Sequence, residues 1–327
     1  MSKLQELMDE FCSDGVEFQP LKAICFRQKG TPITAGQMKK LNKENGKIRI
    51  FAAGNTAVNV DYGDIPDRDV IETPSIIVKS RGNIGFEYYE KPFSHKNEMW
   101  SYSSNSDSVY LKFVFYYLQN HTDDFQKKAK TGKLPQISTP DTDDFLIPIP
   151  PLPVQQEIVR ILDAFTELTA ELTAELTARR KQYEYYRDLL LTFDSIGGGR
   201  TNVLEWRTIG EVGVVTKLAG FEFTKYVTYS ENGNIIALRG LNVKNGKLDL
   251  SDVKYIDSSE LNKLERSKLH IGDMLFTYVG TVGEVALVDQ ENRYYLAPNV
   301  AVIKPNAAIV NSNYMRFYFQ SAPVSKI

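Results

Sequence analysis

Apolar positions along the chain form three different patterns. Short β-rich runs bounded by Gly, Asn and Pro predict strands. They lie at residues 48–52, 75–78, 285–288 and 300–303. The aromatic run 110–120 predicts a helix packed on a sheet, although a strand is also compatible with it. From residue 154 to 193 no Gly or Pro interrupts the chain, and apolar side chains recur alternately three and four residues apart, which is typical of a coiled-coil seam. About 40 residues at 1.5 Å each predict a rod roughly 60 Å long.

The segments on either side of this rod repeat one another. Four pieces of the first match four pieces of the second in the same order, at offsets between about 187 and 204 residues. The clearest match sets residues 76–85 against 274–283, a strand that runs into a Gly-x-x-Gly turn. We therefore predict an α+β fold, in which two similar mixed α/β domains are joined by a long coiled-coil-type α-helix. The predicted boundaries are 1–152 for the first domain, 153–196 for the helix and 197–327 for the second domain.

The rod contains an exact repeat, Thr169–Leu172 followed by Thr173–Leu176. Each copy adds about 6 Å of helix and about 40° of rotation, so the repeat is interpreted as an adjustable spacer. The alternative is slippage in a repeated DNA sequence, tolerated because Ala, Glu and Leu are good helix formers. The apolar seam residues proposed to dock a partner are Leu162, Phe165, Leu172, Leu176, Tyr183, Tyr186 and Leu190.

The amino-acid composition excludes several classes of function for this protein. The 327 residues carry a net charge of -2 and are 42% hydrophobic, which is ordinary for a globular protein and excludes a bulk electrostatic binder of nucleic acid. Two cysteines exclude a disulfide framework, and three scattered histidines predict no metal site. No apolar run has the roughly 18 residues of a membrane span, and the first 12 residues do not resemble a secretory signal. We expect a cytoplasmic protein.

The middle of the chain resembles a known family. Residues 147–163 (IPIPPLPVQQEIVRILD), the Thr-Ala-Glu-Leu repeat and residues 181–190 (KQYEYYRDLL) are similar to the central conserved region of specificity (S) subunits of Type I restriction-modification systems. The repeat and the Lys-Gln-Tyr ending look most like the IC branch. The resemblance extends over nearly the whole chain.

This resemblance implies a function that neither domain reveals alone. Each repeated unit would be a target recognition domain that reads one half of a bipartite site in double-stranded DNA. The long helix would dock methylation (M) subunits, which carry S-adenosylmethionine, and restriction (R) subunits would cut after ATP-driven translocation. The chain itself would bind no cofactor and catalyse nothing, since S-adenosylmethionine, ATP and Mg are expected on the partner subunits.

The sequence departs from the family pattern at its end. The second segment stops at Lys326-Ile327, shortly after its aromatic match, so the second conserved helix expected from the family is absent. We expect the seam to be covered by a second copy or fragment supplying that helix, or by a methylation subunit. The alternative function is a truncated interaction protein that binds methylation subunits without productive DNA recognition.

Local basic and amide side chains are the candidate DNA contacts. Arg suits guanine and Asn suits adenine in the major groove, whereas Lys holds phosphates and positions the protein. In the first domain the candidates are Lys79, Arg81, Gly82 and Asn83 in one turn, and Lys127, Lys128, Lys130 and Lys133 in a predicted loop. In the second they are Arg239, Asn242, Gly280 and Thr281. The alternatives are an ordinary hairpin turn and a solvated face, and the tyrosines at 88, 89, 294 and 295 are expected to pack rather than stack on bases.

An enzyme acting directly on DNA is the rival from another class. We find no Gly-rich cofactor loop after a strand, no Asn/Asp-Pro-Pro-aromatic tetrapeptide and no Walker-type phosphate loop. Pro66-Asp67 and Pro140-Asp141 are not followed by an acidic-x-Lys element at a useful distance. Catalysis by this chain is therefore not expected.

Overall fold

The computed structural model describes residues 2–54, 56–104, 106–130, 134–192, 205–218 and 220–321. The chain divides into two compact units, one up to Leu172 and one from Thr173 onward. The division lies inside one continuous helix of 40 residues, α7 (Leu152–Leu191). This helix confirms the predicted rod-like element, while the three predicted domain boundaries stay a prediction.

The first unit alternates short helices and strands before α7. Its other helices are α1 (Lys3–Phe11), α2 (Leu21–Ile24), α3 (Ala35–Leu41), α4 (Leu111–Asn120), α5 (Thr122–Lys128) and α6 (Thr139–Asp143). Its strands are β1 (Phe18–Pro20), β2 (Phe26–Gln28), β3 (Ile48–Phe51), β4 (Ala57–Val60), β5 (Ser75–Lys79), β6 (Gly85–Tyr89), β7 (Phe93–His95), β8 (Trp100–Ser103) and β9 (Leu146–Pro148).

The second unit contains the remaining elements. Its helices are α8 (Ile209–Val212), α9 (Gly220–Tyr226) and α10 (Ser312–Phe319). Its strands are β10 (Gly213–Lys217), β11 (Ile236–Leu238), β12 (Val243–Lys244), β13 (Lys247–Leu248), β14 (Met274–Thr277), β15 (Val285–Leu287), β16 (Tyr294–Leu296) and β17 (Val300–Pro305). The β-rich runs and the aromatic helix predicted from the sequence are all present.

The two units share one sheet topology. In the first unit an antiparallel sheet has the strand order β2-β8-β5-β6, and in the second the order β10-β17-β14-β15 places the matched strands identically. A second sheet in each unit contains one parallel pair, β3 with β7 and β11 with β16. The matched aromatic helices are α4, which follows β8 in the first unit, and α10, which follows β17 in the second. The internal repetition seen in the sequence is therefore a repetition of fold.

Matched glycines mark equivalent turns in the two units. Gly82 follows β5 with a φ of 77°, and Gly280 follows β14 with a φ of 84°. A positive φ in this range is a left-handed conformation that glycine adopts without a steric penalty. The same backbone shape is thus built at the same place in both repeats.

The start of α7 is tied to the core of the first unit. Strand β9 pairs with β1, and Ile147 at its centre is fully buried. Pro153 lies in the first turn of α7. Proline is tolerated there because the N–H groups of the first turn have no partner within the helix. Val154 and Val159 are buried against the first unit.

Two sequence expectations about the helices need correction or fall outside the structure. Lys127 and Lys128 belong to α5 and not to a loop, because Asp123 and Asp124 in its first turn and these lysines in its last turn suit the helix dipole. The predicted end of the long helix at residue 196, the glycines 197–199 that follow it, and Phe193 at the end of the uninterrupted run lie outside the described residues. In the part of the chain that the structure describes, no helix is both long and apolar enough to span a bilayer.

Candidate nucleic-acid interface

The turn after β5 presents its charged residues unequally. Lys79 is still part of the strand and forms an ion pair with Glu87 across the β5–β6 hairpin, at 2.8 Å. Arg81 and Asn83 are exposed, on either side of the left-handed Gly82. The N–H of Gly82 donates to the carbonyl oxygen of Pro135 at 2.9 Å. The turn is therefore held by a segment far away in the sequence.

The lysines of α5 already have partners within the first unit. Lys127 lies 3.8 Å from Asp124 in an exposed i,i+3 pair, and the Lys128 ammonium lies 5.7 Å from the ring centroid of Phe145. Exposed pairs of this kind contribute little to stability, so both ammonium groups remain able to exchange their partners for phosphate. Lys133, the fourth lysine of this set, lies outside the described residues.

Backbone pairing brings the two candidate elements of the first unit together. Gln136 forms an antiparallel bridge with Arg81 on one side and with Lys130 on the other. The basic turn and the end of the lysine-rich segment are thus neighbours, although about 50 residues separate them in the sequence. Gln136 itself was not predicted, because an uncharged side chain in a basic segment carries no signal of its own.

A carboxylate also contributes to the charge of this region. Asp141 caps α6 and accepts hydrogen bonds from the hydroxyl and the backbone N–H of Ser138, at 2.6 and 2.7 Å. The bond from the Ser138 hydroxyl lowers the pKa of Asp141 in spite of its partial burial, and the nearby Lys128 and Lys130 lower it further. Asp141 is consequently ionised at neutral pH and offsets part of the positive charge.

The candidates of the second unit have mostly structural roles. Asn242 is 0% exposed, and its side-chain amide donates to the carbonyl oxygens of Asp249 and Asp252 and accepts from the N–H of Arg239. This geometry does not support the predicted base contact by Asn242, since every polar atom of its amide is already used. The guanidinium of Arg239 is paired with Asp252 at 2.9 Å.

The second unit's turn differs in chemistry from that of the first. Gly280 and Thr281 are exposed, and between β14 and β15 the backbone is held by the Thr277 hydroxyl, which accepts from the N–H of Glu284 at 3.0 Å. Val279 and Val282 are exposed at this turn, whereas the matching positions of the first unit hold the charged Arg81 and the buried Ile84. The four tyrosines pack as predicted. Tyr294 and Tyr295 are buried, Tyr88 contacts Phe115, and Tyr89 contacts Phe51.

The predicted docking residues lie along α7 with large exposed surfaces. Leu162 is half-buried and lines a groove with Phe113 and Tyr116 of α4. The other six are exposed: Phe165, Leu172, Leu176, Tyr183, Tyr186 and Leu190. The last three of these line an apolar groove together with Tyr314 and Phe317 of α10.

A buried polar network fixes the first turns of α7. Gln155 is 0% exposed, donates to the carbonyl oxygens of Pro150 and Ser108 at 2.7 and 2.9 Å, and accepts from the N–H of Tyr110 at 2.8 Å. It therefore caps α4, whose N-cap residue Tyr110 makes no side-chain cap of its own.

Ion pairs extend this network along the helix. Glu157 accepts two hydrogen bonds from Arg160, which lower the pKa of Glu157 to about 2, and it lies 3.4 Å from Lys3 of α1. Further along the helix, Asp163 accepts from Lys112 and Tyr116 of α4 at 2.8 and 2.6 Å. The beginning of α7 is thereby held to both α1 and α4.

His95 is a fully buried histidine of the first unit. Among the described residues, no three His, Cys, Asp or Glu side chains are grouped as metal ligands would be. The pKa of His95 is lowered by burial, and its ring contacts the Lys96 carbonyl and the Ser101 hydroxyl. The buried histidine therefore belongs to the packing of the first unit.

Comparison with known proteins gives a consistent result. The family model described as Type I restriction modification DNA specificity domain matches residues 14–179. A putative type I restriction enzyme specificity subunit of Haemophilus influenzae is 33% identical over 307 residues, which cover 87% of this chain and 72% of that protein. The type I restriction enzyme EcoprrI specificity subunit of Escherichia coli is 32% identical over 240 residues, covering 65% of this chain and 57% of that one.

A solved structure has the same fold. The S subunit of a Type I restriction-modification system from M. genitalium superimposes with a TM-score of 0.58 at 14% sequence identity, covering 95% of this chain and 79% of that chain. The matched family domain spans the first unit and most of α7, in which the sequence motif was found. The chain therefore belongs to the family of Type I restriction-modification specificity subunits.

Proposed function

We propose that this chain reads a bipartite sequence in double-stranded DNA, with each unit contacting one half of the site. The observation that carries the proposal is the repeated sheet topology, β2-β8-β5-β6 and β10-β17-β14-β15, in two units that share the continuous helix α7. Two copies of one scaffold with different exposed residues at the matched turn are suited to reading two different short sequences.

The first unit has the stronger electrostatic case for contacting DNA. Arg81 and Lys130 are exposed, and bridge pairing through Gln136 places them on one surface. Positive side chains gathered in one region attract phosphates even though the whole chain has a net charge of -2. In the second unit we propose that Gly280 and Thr281 lie against DNA, where the left-handed glycine permits a close approach of the backbone.

The exposed apolar side chains of α7 are proposed to dock methylation subunits. Leu172 and Leu176 lie one helical turn apart and are 57% and 71% exposed. Apolar side chains exposed in a row on one helix are typical of a surface that binds another protein. The chemistry then belongs to the partners. The methylation subunits would bring S-adenosylmethionine, and the restriction subunits would bring ATP and Mg, while this chain supplies recognition and no catalytic group.

One experiment tests the reading of DNA. The chain is co-expressed with its cognate methylation subunit in a host without adenine methylation, and methylated adenines are mapped across the genome. Two short specified sequences separated by an unspecified gap of fixed length support the proposal. A palindromic motif indicates recognition by paired copies of one unit and contradicts the assignment of one half-site to each unit. A stable complex without any methylation supports the alternative of an interaction protein.

A second experiment tests docking. The double variant Leu172→Glu/Leu176→Glu should no longer co-purify with the methylation subunit, because two carboxylates would be buried in an apolar interface. Glu171→Lys on the same helix also changes a charge but leaves the seam intact, and it serves as the matched control. Retention of the methylation subunit by the double variant would contradict docking at this part of α7.

A further inference from the structure

Gln136 lies directly opposite Arg81 on the surface of the first unit. The carbonyl oxygen of Ser80 accepts from the N–H of Ile137 at 3.0 Å, and the N–H of Gly82 donates to Pro135 at 2.9 Å. These two bonds flank the pair Arg81–Gln136, which makes it the non-hydrogen-bonded kind of antiparallel pair. The Cα atoms of such a pair are about 4.5 Å apart, and the side chains are close together.

Lys130 lies on the other side of Gln136. Its N–H donates to the carbonyl oxygen of Gln136 at 3.0 Å, within the second antiparallel bridge. Residues that lie directly opposite each other in an antiparallel bridge have their Cα atoms about 4.5–5.5 Å apart and point their side chains to one face. The order Arg81–Gln136–Lys130 is therefore a row about 10 Å long, with an amide between two cations.

The row faces solvent and not the core. Ser80 and Ile137, the chain neighbours of Arg81 and Gln136, are only 1% and 2% exposed, and the Ser80 hydroxyl donates to the Glu98 carbonyl. Side chains alternate between the two faces of an extended segment, so the row points away from this buried layer. All three of its residues are exposed.

The charges of the row are available for a ligand. Within the described ranges, neither Arg81 nor Lys130 has a carboxylate within the 4 Å of an ion pair, in contrast to Lys79, which is paired with Glu87. The charge of Lys130 lowers the pKa of Asp141. The Asp141 carboxylate, however, already accepts a hydrogen bond from the Ser138 hydroxyl.

The chemistry of the row matches one strand of a DNA duplex. A glutamine amide offers one donor and one acceptor in the arrangement that complements adenine at N6 and N7 in the major groove. Successive phosphates of one strand are about 3.4 Å apart along the axis, so a row of about 10 Å spans roughly three base steps. This spacing allows the Gln136 amide to contact the edge of one base. Arg81 and Lys130 on either side would then contact phosphates or a neighbouring guanine.

We propose that Gln136 is a specificity-determining residue that reads an A·T pair in the half-site bound by the first unit, while Arg81 and Lys130 hold the flanking DNA. This rests on the proposed function and adds to it a residue and a base. The matched turn of the second unit has Val279 in the position of Arg81, so the row is particular to one half of the site.

The test measures base preference at every position of the recognised site. The complex of the full chain with its methylation subunit is incubated with a library of duplexes with randomised sites, and methylated molecules are sequenced. Gln136→Ala should reduce discrimination by about 5- to 150-fold at one A·T pair of one half-site, which is the fold-change that corresponds to the roughly 1–3 kcal/mol of a good bidentate contact. All other positions should keep their preference. Gln119→Ala, an exposed glutamine of α4 in the same unit, is the control and should change nothing.

A second variant separates base reading from a structural role. Gln136→Glu should shift the preference at the same position toward C, because a carboxylate accepts from the N4 amino group of cytosine. An unchanged motif in both variants would overturn the proposal, as would a uniform loss of methylation at all positions in both. If the unmodified complex yields no bipartite motif at all, the proposed function fails, and that outcome is distinct from the failure of Gln136.

Discussion

Replacement of Gln155 by alanine should destabilise the first unit strongly, because one buried amide satisfies three backbone groups. The side chain is 0% exposed and bonds to Pro150, Ser108 and Tyr110 at 2.7–2.9 Å. Each of these groups costs about 1–3 kcal/mol if it stays buried without a partner. Water admitted to the new cavity would satisfy some of them, so we expect a decrease of about 3 kcal/mol in the free energy of unfolding.

Urea unfolding monitored by tryptophan fluorescence measures this decrease. The chain has two tryptophans, Trp100, which is 8% exposed in the first unit, and Trp206, which is 73% exposed in the second. In a Trp206→Phe background the signal reports the first unit alone. With an m value of about 2 kcal/mol/M, a decrease of about 3 kcal/mol lowers the urea midpoint by about 1.5 M.

The neighbouring Gln156 provides the matched control. It is exposed on the same helix turn, and Gln156→Ala should change the free energy of unfolding by less than about 0.5 kcal/mol. If Gln155→Ala costs less than about 1 kcal/mol, the reasoning that this amide anchors α7 and caps α4 is refuted.

Three further outcomes follow from surface and helix features. Lys127→Ala combined with Lys130→Ala should weaken binding to all DNA sequences alike and reduce the slope of log K against log salt by about 0.9 for each phosphate that is no longer neutralised; an unchanged slope in a filter-binding titration removes both lysines from the interface. Deletion of Thr173–Leu176 shortens α7 by about 6 Å and should change the tolerated gap by roughly two base pairs while both half-sites keep their sequence, and altered half-site bases in the methylation map would contradict the spacer. Glu157 has a pKa of about 2 in the folded chain, below its ordinary value of 4.5, so its ion pair with Arg160 stabilises the fold fully above pH 4.5 and less as the pH falls toward 2. The stability difference between the unmodified chain and Glu157→Gln, measured by urea unfolding, should therefore be constant above about pH 5.5 and shrink below about pH 4.5; a difference independent of pH would show that the pair does not stabilise the fold.

Local patterns predicted the elements of this fold well. The uninterrupted run from 154 to 193 predicted α7, and the aromatic run 110–120 predicted α4. Both predictions were possible because helix periodicity and the absence of Gly and Pro are local properties of the sequence. The duplication was also readable, since matched pieces kept their order. The charge pattern of α5, acidic at its start and basic at its end, was present in the sequence and would have identified Lys127 and Lys128 as helical.

The candidate site was less accessible to prediction, because it depends on long-range pairing. No local sequence pattern near Gln136 indicates that this segment pairs with the turn at Arg81. The burial of Asn242 likewise depends on carbonyl groups of a following loop, at Asp249 and Asp252. A sequence shows which side chains are able to contact DNA, whereas exposure and neighbours decide which of them are free to do so.

The equivalent left-handed glycines, Gly82 and Gly280, have an evolutionary consequence. Each fixes the backbone of a hairpin tip, while the adjoining position holds Arg81 in one repeat and Val279 in the other. The framework and the tip therefore vary independently, and a substitution or exchange at the tip alters the chemistry offered to a ligand without disturbing the strands beneath it. New base preferences can therefore evolve by substitution at the hairpin tip with little effect on the stability of the fold.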